Sequence, residues 1–393
     1  MAEDVTKPAK PPIWNDPVYR ALFFQVLVLG GVFALGYTLV SNTLSNLERQ
    51  GIASGFGFME TTAGFSILMS LIEYSEEDSY FRAFVVSLLN TLLVAGIGIF
   101  FATILGFLVG VARLSSNWLI SRMAAIYIET LRNIPLLLQI FFWYFGVLRN
   151  LPGPRDSVNL FDTFFLNIRG LYSPSPIFEE GFSLIPWAFV IGVVIVFFMA
   201  RWAHKRQEET GQQFHTVYVS IGILIGLPAV AAILTGFPLS WEYPELKGFN
   251  FKGGFTLIPE LVSLTLALAL YTASFIAEIV RAGIMAVSHG QTEASYALGI
   301  KPNITLRMVI IPQALRVIIP PLTSQYLNLT KNSSLAAAIA YPDLVLVFAG
   351  TVLMQTGQAV EVIAITMSVY LTISLVISAF MNWYNKKMAL VER

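Results

Sequence analysis

The sequence predicts an all-α polytopic membrane protein that crosses the bilayer about eight times. Three observations lead there. Of 393 residues, 56% are hydrophobic and only 12% are charged, about half the charged share of an ordinary soluble domain. Mean hydropathy is +0.69. Several runs stay apolar for about 20 residues, the length that spans a bilayer core.

A polar, proline-bearing tail over 1–20 precedes the first span, 21–40. No small-x-small cleavage site follows that span, so it reads as a retained helix rather than a removed signal peptide. The next spans are expected near 83–112, 123–148, 185–202, 217–236, 257–283, 314–340 and 360–384. The seventh begins among Pro312, Pro320 and Pro321 and stops near Pro342, so it is expected to be bent or interrupted. With the N-terminus inside, fifteen of the 24 Lys and Arg fall on the cytoplasmic side and seven on the other. Arg132 and Lys331 remain within spans. That bias predicts an N-in, C-in topology. The outer loops over 41–82, 149–184 and 237–256 are acidic or mixed and too short for a substantial soluble domain.

Composition removes several function classes. There is no cysteine, which excludes disulfides, thiolate catalysis and Cys-ligated metals. The three histidines, His204, His215 and His289, form no His-x-x-x-His pair. Net charge is zero, which offers nucleic acid no electrostatic footprint. No Gly-x-x-x-x-Gly-Lys-Ser/Thr phosphate loop is present, so this chain has no means of its own to hold ATP in that way.

The hydrophilic stretch Arg281–Arg316 separates spans six and seven. Gly290 to Gly299 reads as a short helix within it, with Gly290 or Thr292 near its start and Glu293 in the first turn, where a carboxylate suits the dipole. Gly299 supplies the left-handed stop. Ala294, Ala297 and Leu298 give a small apolar face. An ordinary interfacial helix would satisfy the same physics.

The spacing is more specific. Glu293-Ala294-Ser295, three residues, Gly299, nine residues and Val309-Ile310-Ile311-Pro312 resemble the EAA loop of ABC-importer permeases. That family pattern is Glu-Ala-Ala, three residues, Gly, nine residues, Ile-x-Leu-Pro. Ser295, Val309 and Ile311 are the departures, all mild. "ETLRNIPLLLQIFFWYFG" (129–146), "AEIVRAGI" and "IPQALRVIIPPLTSQYLNLTKNSSL" resemble the polar amino-acid uptake branch of that family. More loosely, the chain resembles the long-form permeases of broad-specificity L-amino acid systems.

The resemblance implies a five-helix core in 83–148 and 257–385, a coupling loop over 286–312, and three added spans, 21–40 and the hairpin 185–236. Gly290, Thr292, Glu293, Ala294, Ser295, Leu298 and Gly299 would then dock on an ATPase. It further implies two cytoplasmic ATPase subunits, a second permease subunit (a different chain favoured over a second copy), a periplasmic amino acid-binding protein, and residence in a bacterial inner membrane. ATP and Mg would be used by the partner ATPase, with no cofactor held by this chain.

Span seven carries a polar stripe. At about 100° per residue, Ser324, Asn328, Lys331, Asn332 and Gln325 share one arc. An ammonium group within a span faces a cavity or a partner. Lys331, with Asn328, Asn332 and Ser333 or Ser334, is a candidate for a substrate carboxylate; an interhelical pair is the equal alternative. Carbonyls near Pro342, or Asp343, would supply the matching cation site. Asn90 is a second buried amide, suited to an interhelical hydrogen bond or to the pathway. Glu129 with Arg132, and Glu278 with Arg281, are spaced for ion pairs on one helix face.

Two other classes compete. An ion-coupled secondary transporter predicts carboxylates at mid-depth and an internal repeat, neither of which stands out in the sequence. A membrane enzyme predicts a His/Asp/Ser constellation, which is also missing from it.

Overall fold

The computed structural model describes residues 12, 14, 16–49 and 55–388. Of the tail expected over 1–20, residues 1–11, 13 and 15 lie outside them. Among the described residues, seven helices are long and apolar enough to cross a membrane, or eight if one bent pair counts as a span. The chain divides into two compact units.

The first unit holds residues up to Leu93 and Pro342–Tyr384. It contains α1 (Pro17–Arg49) and the start of α2 (Tyr80–Arg113). α1 is apolar, and none of its most apolar window is buried. Between the two helices, a loop folds back on the start of α2. Phe58, Ala63, Tyr80 and Ala83 pack with Leu344, Val347, Phe348 and Val352 in one apolar cluster. The Tyr74 hydroxyl donates to the Phe65 carbonyl at 2.9 Å. Burial, then the carboxylates of Asp78 and Glu76, push the Tyr74 pKa up to about 12. The Arg82 guanidinium donates twice to the Glu73 carbonyl, at 2.7 and 3.0 Å.

The second unit holds Val94–Tyr341 and Asn385 onward. After α2, the run expected as one span over 123–148 folds differently. α3 (Trp118–Asn133) and the segment Leu136–Asn150, which opens with α4 (Leu136–Phe141), meet at a bend of 106°. Pro135 is the cause. It pushes Ile134 to φ −91°, ψ 126°, outside the helical region. Two carbonyls lose their helical partners there, and Gln139 replaces them. Its buried Nε2 donates to Leu131 and Ile134 carbonyls, both at 2.9 Å.

α5 (Leu184–Thr210) and α6 (Thr216–Leu234) form a hairpin packed on itself. The all-α expectation holds for the spans, but the outer loops add short strands. β1 (Val158–Leu160), β2 (Phe164–Asn167), β3 (Gly170–Ser173) and β8 (Phe255–Leu257) make an antiparallel sheet in that order. β4 (Ser175–Phe178) pairs with β5 (Leu239–Glu242), and β6 (Glu245–Lys247) with β7 (Asn250–Lys252). Strands of three or four residues are too short to leave a clear period-2 pattern in a sequence.

α7 (Pro259–Met285) is the centre of this unit. Pro259 at the first turn and Glu260 beside it are favourable starting residues. Leu264, Ala267, Leu268, Ala273, Ile276 and Ala277 are fully buried. α7 packs on α3, on α4 and on α10 (Ile311–Asn332). Small residues permit close approach to α2. A Cβ on Gly110 would stand 2.7 Å from the Ala277 carbonyl oxygen, so the two backbones nearly touch. This places Arg113, less than one turn further on, beside the end of α7.

Candidate functional site

The stretch between α7 and α10 folds as α8 (His289–Ala297), α9 (Pro302–Thr305) and a π-helical turn over Leu306–Ile310. α8 starts at His289, one residue before the expected Gly290. Glu293 is therefore its fifth residue rather than a first-turn carboxylate. It meets the His289 ring at Nδ1, 2.9 Å away, in an i,i+4 pair. The stop is as expected. Gly299 takes φ +73°. Its amide donates to the Tyr296 carbonyl at 2.9 Å, and the Ile300 amide donates to Ser295 at 3.0 Å. These two bonds form a Schellman closure.

Ser295 is the buried residue of α8, with its Oγ on the Gln291 carbonyl at 2.7 Å. Gln313 Nε2, on α10, donates to Gln291 Oε1 at 3.4 Å. The opposite side is open. Gly290, Glu293, Ala294, Tyr296, Leu298 and Gly299 are all exposed, and Leu298 is 79% exposed. Thr292 is half-buried.

α10 has a packed face and an open face. Leu322, Leu329 and Thr330 are buried. Leu329 lies against Gly98, and the Tyr326 and Thr103 hydroxyls share a hydrogen bond of 2.9 Å. On the other face, Ser324, Asn328 and Lys331 are exposed and Asn332 is half-exposed. The helix runs through Pro320 and Pro321 without ending, and Lys331 falls in its last α-helical turn. The chain then tightens into a 3-10 helix over Ser333–Ile339 and ends at Ala340, φ +60°.

The structure separates the candidates it was expected to gather. Asn328, Lys331 and Asn332 share the open face. Ser333 is buried, and its Oγ donates to the Thr330 carbonyl at 2.7 Å; Ser334 Oγ donates to Lys331 in the same way. Both hydroxyls close the helix end. Asn90 is fully buried, with Nδ2 donating to the Met69 and Pro342 carbonyls at 2.8 and 2.9 Å. Asp343 is buried too, and its Oδ1 accepts the Leu346 amide at 2.9 Å, opening the next helical turn.

Of the two expected ion pairs one forms. Arg281 Nε lies 3.0 Å from Glu278 Oε2. Glu129 and Arg132 do not pair, because the Arg132 guanidinium lies over the Phe275 ring at 5.0 Å. All four side chains nevertheless line one cavity of about 300 Å³, joined by Arg113. Arg113 was missed in the sequence, since only the α2–α7 contact brings it there.

The chain matches the model of a protein family described as binding-protein-dependent transport system inner membrane component, over residues 98–390. It is 57% identical over 378 residues to the putative amino-acid ABC transporter permease protein YhdX of Escherichia coli, covering 96% of both chains. It is 54% identical to the general L-amino acid transport system permease protein AapQ of Rhizobium johnstonii, covering 96% of this chain and 94% of that one. It is 42% identical to the glutamate/glutamine/aspartate/asparagine transport system permease protein BztB of Rhodobacter capsulatus, covering 96% of each. With a family match over most of its length and near-complete alignment to three such permeases, the chain belongs to the binding-protein-dependent transport system inner membrane components.

Proposed function

We propose that this chain is the permease subunit of an ATP-driven importer whose cargo is L-amino acids. The observation that carries the reading is α8: an exposed helix, closed by Gly299 and held to α10 through Gln291 and Gln313. The names of the relatives support amino acids as cargo.

In this reading both termini are cytoplasmic, which puts α8 on the side of ATP. Residues 83–148 and 257–385 form the permease core, and 21–40 with 185–236 are additions to it. Two ATPase subunits bind ATP and Mg and receive α8, with Leu298 and Tyr296 entering the partner surface. This chain holds no cofactor and performs no hydrolysis. A periplasmic binding protein delivers cargo, and a second, different permease chain completes the path. Lys331, with Asn328 and Asn332 on the open face of α10, meets the cargo carboxylate. ATP binding draws α8 and the matching helix of the partner permease together and shifts the pair between two openings.

The test is reconstitution in liposomes with the ATPase, the partner permease and the binding protein. Labelled L-amino acids accumulate only with ATP, and Leu298→Asp removes the ATPase from the purified complex. Uptake that continues without ATP and collapses with an ionophore would assign the chain to ion-coupled transport instead.

A further inference from the structure

Five charged side chains from three helices face one cavity of about 300 Å³. Arg113 closes α2, Glu129 and Arg132 come from α3, and Glu278 and Arg281 from α7. Three already have partners: Glu278 and Arg281 take each other, and Arg113 Nη1 donates to Ser121 Oγ at 3.0 Å. Among the described residues, the Glu129 carboxylate and the Arg132 guanidinium have no hydrogen bond and no ion pair, although they are three positions apart on one helix. Arg132 instead lies over the Phe275 ring, 5.0 Å from its centroid. A guanidinium over a ring keeps N–H donors for a carboxylate. Glu129 and Arg132 are both exposed at this cavity, so each presents its charge to whatever enters it.

We infer that this cavity binds a single α-amino acid as its zwitterion, the carboxylate on Arg132 and the ammonium on Glu129. The inference rests on the amino-acid reading of the cargo, and adds a second stop to the open face of α10, none of whose residues lines this cavity. A volume of about 300 Å³ is at the small end of ligand pockets and admits one amino acid rather than a peptide. Three guanidiniums against two carboxylates leave one net positive charge, which favours acidic and neutral side chains over basic ones.

The test uses the assembled complex in nanodiscs of phosphatidylglycerol alone, which offer no zwitterionic headgroup. Labelled L-alanine, L-glutamate and L-lysine are the probes. Binding of L-glutamate and L-alanine exceeds that of L-lysine. In a Lys331→Ala background L-alanine still binds. Adding Arg132→Gln or Glu129→Gln then weakens it about ten-fold, the worth of one charged hydrogen bond. Arg132→Lys restores part of the loss. Co-purification with the ATPase checks assembly; where Arg132→Gln fails to assemble, the near-isosteric Glu129→Gln decides.

Binding unchanged in both variants overturns the inference, as does the absence of any binding in the Lys331→Ala background. L-alanine displaced by added phosphatidylethanolamine gives the site to a lipid headgroup and overturns it too. A wild-type complex that neither binds nor accumulates any amino acid sinks the proposed function itself. Altered variants in a wild type that transports, or unaltered ones, speak to the cavity alone.

Discussion

Ile300 and Ser295 are joined by an amide-to-carbonyl hydrogen bond of 3.0 Å that wraps the end of α8 around Gly299. The bond requires φ +73° at Gly299, a conformation that costs a residue with a Cβ about 1–2 kcal/mol. Gly299→Ala is therefore expected to fray α8 and reduce the amount of ATPase that co-purifies. Gly299→Asn, which tolerates that backbone better, keeps more of it. Equal recovery of ATPase in all three proteins would separate the helix end from coupling.

Lys331 stands on the open face of α10 in its last turn. Lys331→Ala is expected to raise the KM for uptake about ten-fold, the loss of one charge-assisted contact. Lys331→Arg falls between. Uptake kinetics in proteoliposomes read this directly, with membrane insertion checked by detergent-resistant purification. An unchanged KM would remove Lys331 from the cargo path.

Gln139 satisfies two carbonyls at the bend over Pro135. Gln139→Leu keeps the bulk and removes both donors, leaving Leu131 and Ile134 without those bonds. Both bonds are part-buried, so the expected cost is about 1 kcal/mol for each one lost. It should appear as a lower thermal unfolding temperature in detergent. Leu138→Ala, at an exposed position next to it, is the control for a mere change of size.

The Tyr74 hydroxyl is a place outside the spans where pH acts with a definite sign. Its pKa rises from 10.0 to about 12. The folded loop thus holds that proton more tightly than an unfolded one. The stabilising contribution is whole below pH 10 and is lost as pH climbs through about 12. Tyrosinate absorbance is expected to report a late titration in wild type that Tyr74→Phe diminishes by one tyrosine. Tyr74→Phe also lacks the bond to Phe65, so its loop is expected to digest faster with a protease at neutral pH.

Much of this was legible in the sequence, and the reasons differ from element to element. Long apolar runs revealed the spans because a bilayer leaves a helix few alternatives. Gly299 revealed the end of α8 because a left-handed stop is a local requirement. The bend was harder. Pro135 sits inside the run read as one span, and nothing local said that Gln139 would turn back to cover a break there. The hairpins of the outer loops were invisible for want of length. At the site, periodicity put Asn328, Lys331 and Asn332 on one face, while a wheel cannot tell that Ser333 and Ser334 spend their hydroxyls on the helix end. Glu129 and Arg132 had the right spacing to pair; the ring of Phe275, from another helix, took the guanidinium first. Arg113 joined the cavity only through tertiary contact.

The bend at Pro135 also bears on which side of the membrane the chain finishes. Among the described residues seven helices are long and apolar enough to cross a membrane, and an odd number of crossings would put the two ends in different compartments. Counting the bent pair makes eight, an even number that returns the last helix to the starting side. The excess of Lys and Arg on one set of loops holds only for the even count. A 106° turn in the middle of one segment is thus tied to the parity of the whole topology, and a reporter fused after residue 388 reads that parity in a single measurement.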